Sequence, residues 1–479
     1  MQRILSVEQM KNADNYTINT LGISSEVLIE RAGNAVAEEI KKRFKGGRVL
    51  VCIGKGNNGE DGKVIANVLS RIHGFTVTTL NVFNGIFKLF DRKYDIIVDC
   101  IFGVGLNREV DGKYKLAIEK INNSGAFIVS CDIPSGLNGN TGKPMGISVN
   151  ANLTIAIQEL KLGHFLNDGP DYCGEIVAKD IGISVWGDEY YKKINDSDLS
   201  LLFQKTCRNV NKGSFPKVAI IGGSKSYSGS VILSLNAITA LKMGNGYSKL
   251  IVPECIFPIV AGVNPEVITI PIKEDNGFLS FDKSLLDSLL SSDAIAIGMG
   301  AGVNENVYEI IKYLLNNYDK RLLIDADGIN SLAKFGKDIL LNKKCEVVLT
   351  PHIGEFSRLI GIDKEILVDN VINLAINFAK EYSVVLNVKS ATSIITNGIE
   401  IYINTTGSNG MAKAGSGDVL SGITLGLISK DCELIDAVSS SAHLFGLCGE
   451  FAQNKYNQFT VTASDIISSL PNIINGLTK

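Results

Sequence analysis

Along the first half of the chain, unbroken apolar runs alternate with stretches whose apolar residues recur every three or four positions. RVLVCIG (Arg48 to Gly54), YDIIVDCIFG (Tyr94 to Gly103) and AFIVSCDIPSG (Ala126 to Gly136) read as strands, each closed by glycine and polar residues. Continuous Val/Ile runs of this length mark parallel strands covered on both faces. KVIANVLSRIHG and the residues Lys115 to Ile121 read as helices between them. The pattern predicts an open, doubly wound α/β sheet with its site at the strand C-termini.

The strand pattern ends near GEIVAKDIGI (Gly174 to Ile183). The next segment, GDEYYKKINDSDLS, is polar and has no strand periodicity, which puts a domain boundary near residue 192. A second series follows: KVAIIGG (Lys217 to Gly223), DAIAIGMG (Asp293 to Gly300), RLLIDADG (Arg321 to Gly328), CEVVLTP (Cys345 to Pro351) and VVLNVKS (Val384 to Ser390). From Asp418 onward the pattern is mainly helical. At 479 residues the chain is too long for one core. We read two α/β domains, 1–192 and 193–479.

Composition narrows the function. With 45% hydrophobic and 20% charged residues the chain is an ordinary globular one. A formal charge of −3 with no long basic run argues against nucleic acid or an anionic membrane as partner. The nine cysteines are scattered without a CxxC pair, as expected for a reducing cytoplasm. The start has no apolar leader core, and no run is long enough to span a bilayer. The expectation is a cytoplasmic enzyme of small molecules, assembled as a homo-oligomer.

GKGNNGEDG (Gly54 to Gly62) lies directly between a strand and a helix. Glycine there permits close backbone approach, and a helix start offers unpaired N–H groups to an anion. Asn57 and Asn58 add amides, and Asp61 a carboxylate. Two more strand ends open onto the same edge: IVDCIFGVG presents Asp99, and CDIPSG presents Asp132 and Ser135. Such residues also serve as turn and N-cap groups. The pattern leaves both readings open.

VLIERAG (Val27 to Gly33), GKGNNGEDG, VDCIFGVGLNR (Val98 to Arg108) and CDIPSGLNGNTG (Cys131 to Gly142) together resemble the YjeF N-terminal family, the NAD(P)H-hydrate epimerases. The resemblance covers most of the first half. It implies a Rossmann-like domain for hydrated nicotinamide dinucleotides (NADHX, NADPHX), with one potassium ion near Asn58, Asp99 and Ser135. It also implies substrate contacts at Asn57, Asn58, Gly59, Glu60 and Asp61, and along the loop Gly103, Val104, Gly105, Leu106, Asn107, Arg108 and Glu109. Asp132 would be the catalytic acid/base. The hydroxyl at C6 sits beside the ring nitrogen, so its loss and return through an iminium-like species needs a proton shuttle and a nearby negative charge. The family's usual Gly-Gly-Asp is Gly59-Glu60-Asp61 here. A Glu60 turned into the phosphate mouth would repel the dinucleotide.

In the second half, AKAGSGDVLSG (Ala412 to Gly422) sets small residues and glycines before an apolar helical run. Backbone N–H groups converging at such a helix start stabilise charge on a transferring phosphoryl group. Asp418, in the first turn, could take a proton from an attacking hydroxyl. It could equally be a helix-dipole residue worth about 0.3–1 kcal/mol.

Four further segments accompany it in order: NKGSFPKVAIIGGSKSYSG (Asn211 to Gly229), LLIDADGIN, LTPHIGEFSRL (Leu349 to Leu359) and NVKSATSIITNG (Asn387 to Gly398). Together they resemble the ADP/ATP-dependent NAD(P)H-hydrate dehydratases, which have a ribokinase-like α/β fold. The resemblance implies Asp418 as general base and the amides of Gly415, Ser416 and Gly417 as the anion hole. It implies nucleotide contacts at Lys389, Ser390, Ala391, Thr392, Ser393 and Gly417, and dinucleotide contacts at Gly302, His352 and Asp418. Glu355 resembles the acidic residue that organises Mg²⁺, and ADP or ATP is the implied co-substrate. Asn211 stands where His is usual, and Ser390 where Gly is usual.

Competing readings are plainer. His73, His164 and His443 have no such setting and receive no role, and Trp186 reads as packing. ELIDAVSSSAHLFGLCGEFA reads as a core helix or a subunit contact, and the segment around Tyr227 as a substrate flap or a simple loop. The alternative function is a ribokinase-like small-molecule kinase whose first domain binds dinucleotides without catalysis.

Overall fold

The computed structural model describes residues 2–85, 87–187, 190–203, 207–239 and 243–478. By its contacts the chain divides into two compact units, Arg3–Tyr191 and Lys192–Lys479.

The first unit holds β1 (Gln2–Leu5), β2 (Gly47–Ile53), β3 (Phe75–Asn81), β4 (Ile96–Cys100), β5 (Phe127–Cys131), β6 (Leu153–Ile157), β7 (Leu160–Lys161) and β8 (Glu175–Lys179). One parallel sheet runs in the order β3-β2-β4-β5-β6-β8, and β1 pairs with β7 through Ile4 and Leu160. Along β2, Val49, Val51 and Ile53 pack on Val36, Ile40, Ile65 and Leu69, contributed by the helices Ser25–Arg43 and Asn57–Ser70. Leu50 and Cys52 face the helix Gly112–Asn122 through Ala117, Ile118 and Ile121. Burial on both faces is why the strand reads as one apolar run. The strand order reverses between β2 and β4, and a crevice opens beyond the C-terminal ends at such a switch.

The second unit holds β9 (Tyr191–Lys193), β10 (Lys217–Ile221), β11 (Tyr247–Pro253), β12 (Ile268–Ile272), a separate hairpin of β13 (Glu274–Asp275) and β14 (Phe278–Leu279), then β15 (Ala294–Ile297), β16 (Arg321–Ile324), β17 (Glu346–Leu349), β18 (Val385–Val388), β19 (Ile394–Thr396) and β20 (Ile401–Ile403). Its sheet runs β12-β11-β10-β15-β16-β17-β18-β19-β20, parallel as far as β18 and antiparallel at β19 and β20. One face is covered by the helices Ser416–Ile428, Leu434–Tyr456 and Ala463–Leu477, the other by Glu305–Asn317, Asp327–Phe335 and Lys364–Tyr382. The order reverses again, between β10 and β15.

One expectation needs correction. The polar segment after Gly187 does contain a strand, β9, whose Lys192 pairs with Tyr402; three residues are too few to display a two-residue period. Asp188 and Glu189 of that segment lie outside the described residues. Trp186 does pack, its ring tilted against Tyr16 with centroids 4.2 Å apart, and at 54% exposure the contact lies at the surface. The helix Leu434–Tyr456 is core along most of its length. All nine cysteines are free, and among the described residues no helix is long and apolar enough to cross a membrane.

Candidate active sites

At the switch point of the first sheet lies a cavity of about 610 Å³. Asn57, Asn58 and Asp61 line it from the helix start after β2, Gly103 to Arg108 from the turn after β4, and Asp132 from the end of β5. Sequence reasoning had singled out all of these, but Gly59, Glu60 and Glu109 stand off its wall. Gly59 has a packing reason: a Cβ there would come within 2.2 Å of the Gly54 carbonyl oxygen. Glu60 turns to the helix surface and pairs with Lys63 at 2.7 Å, off the cavity wall.

Two lining residues escaped the sequence reading. Lys161, 1% exposed, donates its Nζ to Asp132 Oδ1 and to the Ile157 carbonyl. The Ile157 N–H also donates to Asp132 Oδ1, at 3.1 Å. Asp132 is itself held in the left-handed region at φ +67°, a strained backbone for a non-glycine residue. His164, assigned no role from sequence, is buried behind this pair. Its Nδ1 accepts the Lys161 N–H at 3.1 Å and its Nε2 lies 2.9 Å from the Asp132 carbonyl oxygen. Burial, then the Lys161 charge, depress its pKa to about 4, which leaves a neutral ring with the Nε2 proton as donor. No local motif flags Lys161, because it meets Asp132 only through the parallel pairing of β5 and β6.

Asp14, on the helix Val7–Asn19, is the second addition. Burial first and the Asp132 charge second raise its pKa, against the pull of Lys161. Asp61 is pushed up to about 8 by burial, then by Asp132, Asp14 and Glu60. At neutral pH one wall therefore offers a neutral carboxylic acid, and another holds Asp132 against Lys161.

Asn58, Asp99 and Ser135 meet around Phe102. Asn58 Nδ2 donates to the Phe102 carbonyl at 2.8 Å, and the Phe102 N–H donates to Ser135 Oγ at 2.8 Å. Asp99 is fully buried and accepts from Ser135 N–H and Oγ, from Ser130 Oγ and from Ile101 N–H. Asn58 Oδ1 is buried without a hydrogen-bond partner. An orphaned amide oxygen in a cluster with a buried carboxylate is an oxygen donor set of the kind that suits a hard cation.

In the second unit, Gly415 at φ +88° precedes the helix Ser416–Ile428. Among the described residues the N–H groups of Gly415, Gly417 and Asp418 have no partner. The Ser416 N–H, also expected in the anion hole, donates to the Lys413 carbonyl at 3.3 Å. The Ser416 hydroxyl is buried and unpartnered. Asp418 is lifted to about 6 by burial, then by Asp325; the Ser230 hydroxyl and Lys389 act the other way, and Asp327 adds to the rise.

Lys389 lies beside this helix start: a methyl group on Gly417 would sit 3.6 Å from its Nζ. The loop beyond it folds on itself, Ser390 Oγ donating to the Thr392 carbonyl and Ser393 Oγ to the Ser390 carbonyl; Ala391 is exposed. The Gly302 N–H is held by Asp327 Oδ2 at 2.8 Å. His352 is the N-cap of the helix Ile353–Ile360, its Nδ1 accepting from Gly354 and Glu355 N–H, while Glu355 Oε2 accepts the His352 N–H at 2.8 Å. Glu355 Oε1 lies 3.6 Å from His352 Nε2. Tyr227 is exposed in a turn closed on Ser224, which packs over Gly300.

The two sites define a class: an enzyme of two α/β domains, with a proton-transfer cavity in the first and an open helix N-terminus beside a buried lysine in the second. Comparison with known proteins gives the family. Residues 218–472 match the family described as NAD(P)H-hydrate dehydratase, and residues 25–87 and 82–163 match the YjeF-related protein N-terminus. A bifunctional NAD(P)H-hydrate repair enzyme of Dictyoglomus turgidum is 31% identical, with 98% of each chain covered. One of Thermofilum pendens is 30% identical over 99% of this chain and 97% of its own. The chain belongs to the family of bifunctional NAD(P)H-hydrate repair enzymes. In fold, the second unit is similar to the ADP/ATP-dependent NAD(P)H-hydrate dehydratase of Bacillus subtilis co-crystallised with ATP/Mg²⁺ (23% identity, TM-score 0.52, 60% of this chain and 99% of that one). It is likewise similar to a ribokinase-like superfamily protein of Enterococcus faecalis (23% identity, TM-score 0.52, 62% and 99%).

Proposed function

We propose that the first domain interconverts the R and S forms of NADHX and NADPHX, and that the second dehydrates the S form to NADH or NADPH, using ADP or ATP. The observation that carries the reading is Asp418, a half-buried carboxylate at a helix N-terminus with open amides and Lys389 alongside.

In the epimerase cavity, Asp61 in its neutral form gives a proton to the C6 hydroxyl, which leaves as water and leaves a cation shared by C6 and the ring nitrogen. Asp132, oriented by Lys161, stabilises that cation and takes the proton of the water returning to the other face. Asn57 and the loop 103–108 bind the rest of the dinucleotide. Asn58 Oδ1, with Asp99 and Ser135 beside it, would hold potassium, which supplies a fixed positive charge to the site.

In the dehydratase site, Asp418 takes the proton of the C6 hydroxyl as that oxygen bonds to the terminal phosphorus of the nucleotide. The P–O bond to the rest of the nucleotide breaks, and the shortened nucleotide leaves. The phosphate then departs from C6 and a proton leaves C5, restoring the ring double bond. Phosphate leaves far more readily than hydroxide, which is the reason a dehydration consumes a nucleotide. Gly417 and the segment 389–393 bind the nucleotide, with Mg²⁺ organised by Glu355, while Gly302 and His352 bind the dinucleotide. We place this work in the reducing cytoplasm and expect a homo-oligomer.

The test supplies each purified epimer with and without ADP or ATP and follows absorbance at about 340 nm, the signature of the reduced ring. Reduced dinucleotide and inorganic phosphate should appear together, immediately from the S form and after a lag from the R form. A stable phosphoester without reduced dinucleotide would instead establish a kinase.

A further inference from the structure

The phosphoryl-transfer reading leaves Asp325 without a task. It directly follows β16 and its side chain is almost wholly buried. Asp325 Oδ1 accepts from Lys389 Nζ at 2.8 Å. Asp325 Oδ2 accepts from Ser421 Oγ, on the same helix as Asp418 and one turn along it. One carboxylate thus ties the lysine to the helix that carries the base.

The local backbone is bent to allow it. Ala326, the next residue, sits at φ +49°, a region that side-chain-bearing residues avoid. The kink lets two neighbouring aspartates serve opposite partners, since Asp327 Oδ2 takes the Gly302 N–H at 2.8 Å. Among the described residues Lys389 has no other ion-pair partner, and its ammonium lies beside Gly417. The pair carries no net charge, so a cation can be kept in a dry site without an unpaired burial.

We infer that Asp325 is a positioning residue for phosphoryl transfer: it holds the Lys389 ammonium at the open end of the helix Ser416–Ile428, where the moving phosphoryl group gathers negative charge. The inference rests on the dehydratase reading proposed above. Burial pulls the Lys389 pKa down, and Asp325, then Glu355 and Asp418, more than reverse the effect. His352 and Arg358 also face this cluster, and Asp327 faces Asp418. Removing the Asp325 charge lets Lys389 lose its proton at lower pH, and it also lets Asp418 ionise at lower pH.

The test is a double-mutant cycle in the full-length protein: Asp325→Asn, Lys389→Met and the two together, assayed for dehydration of the S form with ADP. Each single change should lower kcat about 100-fold, the scale of losing one preorganised charge at a reacting group. The double variant should match Lys389→Met within about twofold, because Asp325 acts through the lysine. The Asp325→Asn profile should lose activity on its alkaline side at lower pH than the wild type, which a purely structural defect would not produce. If Asp325→Asn does not fold, Lys389→Met against the double variant still decides, since the latter buries no unpaired charge. Losses that multiply in the double variant, or an unshifted alkaline limb, overturn the inference. A wild type that leaves the S form untouched overturns the reading beneath it.

Discussion

Asp61 carries the sharpest consequence of burial at the scale of one residue. Its carboxyl keeps a proton up to about pH 8, where an ordinary aspartate would have lost it near 3.8. The folded state therefore binds one more proton than the unfolded state between these limits, and its stability must fall as pH rises through that window. We expect Asp61→Asn to gain melting temperature over the wild type steadily from pH 5 to pH 8 and little beyond. A constant offset across this range would mean the carboxyl is ionised throughout. Epimerisation should decline above about pH 8 in the wild type, as the acid is lost. The residues legible from sequence were those inside dense motifs, Asn57, Asn58, Asp61 and Asp132. Lys161 and His164 were not legible, because a lysine and a histidine in QELKLGH signal nothing until β6 and β7 bring them under the end of β5.

At the scale of elements, helix starts carry the chemistry, and two of them depend on a residue that packs or caps. Gly59 lets the helix Asn57–Ser70 lie against the turn at Gly54. Gly59→Ala should cost about 1–3 kcal/mol through overpacking, read as a lower denaturant midpoint, and should displace Asn58 and Asp61 together. At the second start, His352 caps the helix Ile353–Ile360. His352→Ala should cost about 1 kcal/mol, while His352→Asn, itself a good cap, should restore most of that stability. If His352 also touches the dinucleotide, His352→Asn will keep the midpoint and still raise the KM for NADHX. Strand and helix order was readable in both halves because buried parallel strands are continuous Val/Ile runs ended by glycine. The hidden element was β9, too short and too polar to show any period. The state of the helix-start amides was equally hidden: glycine spacing marks a helix start, but only the folded turn brings the Ser416 N–H to the Lys413 carbonyl.

Over the whole molecule, the fusion makes physical sense if one catalyst consumes a single stereoisomer and the other replenishes it. A chain with Asp132→Asn, offered an equal mixture of epimers and excess ADP, should restore the S fraction quickly and then slow sharply. The wild type should run to completion without a break. A variant that also runs to completion would strip Asp132 of its role.

The central claim is that a carboxylate at an amide-lined helix mouth prepares an alcohol to accept phosphate. Its most direct test is the pH dependence of the single-turnover dehydration rate, in the wild type and in Asp418→Asn. The wild-type rate should climb with pH through about 6, where Asp418 becomes ionised. The variant should be slower by about 10³-fold, within the range for loss of a general base, and flat across that interval. A variant that keeps the wild-type rate, or the same climb near pH 6, would contradict the account.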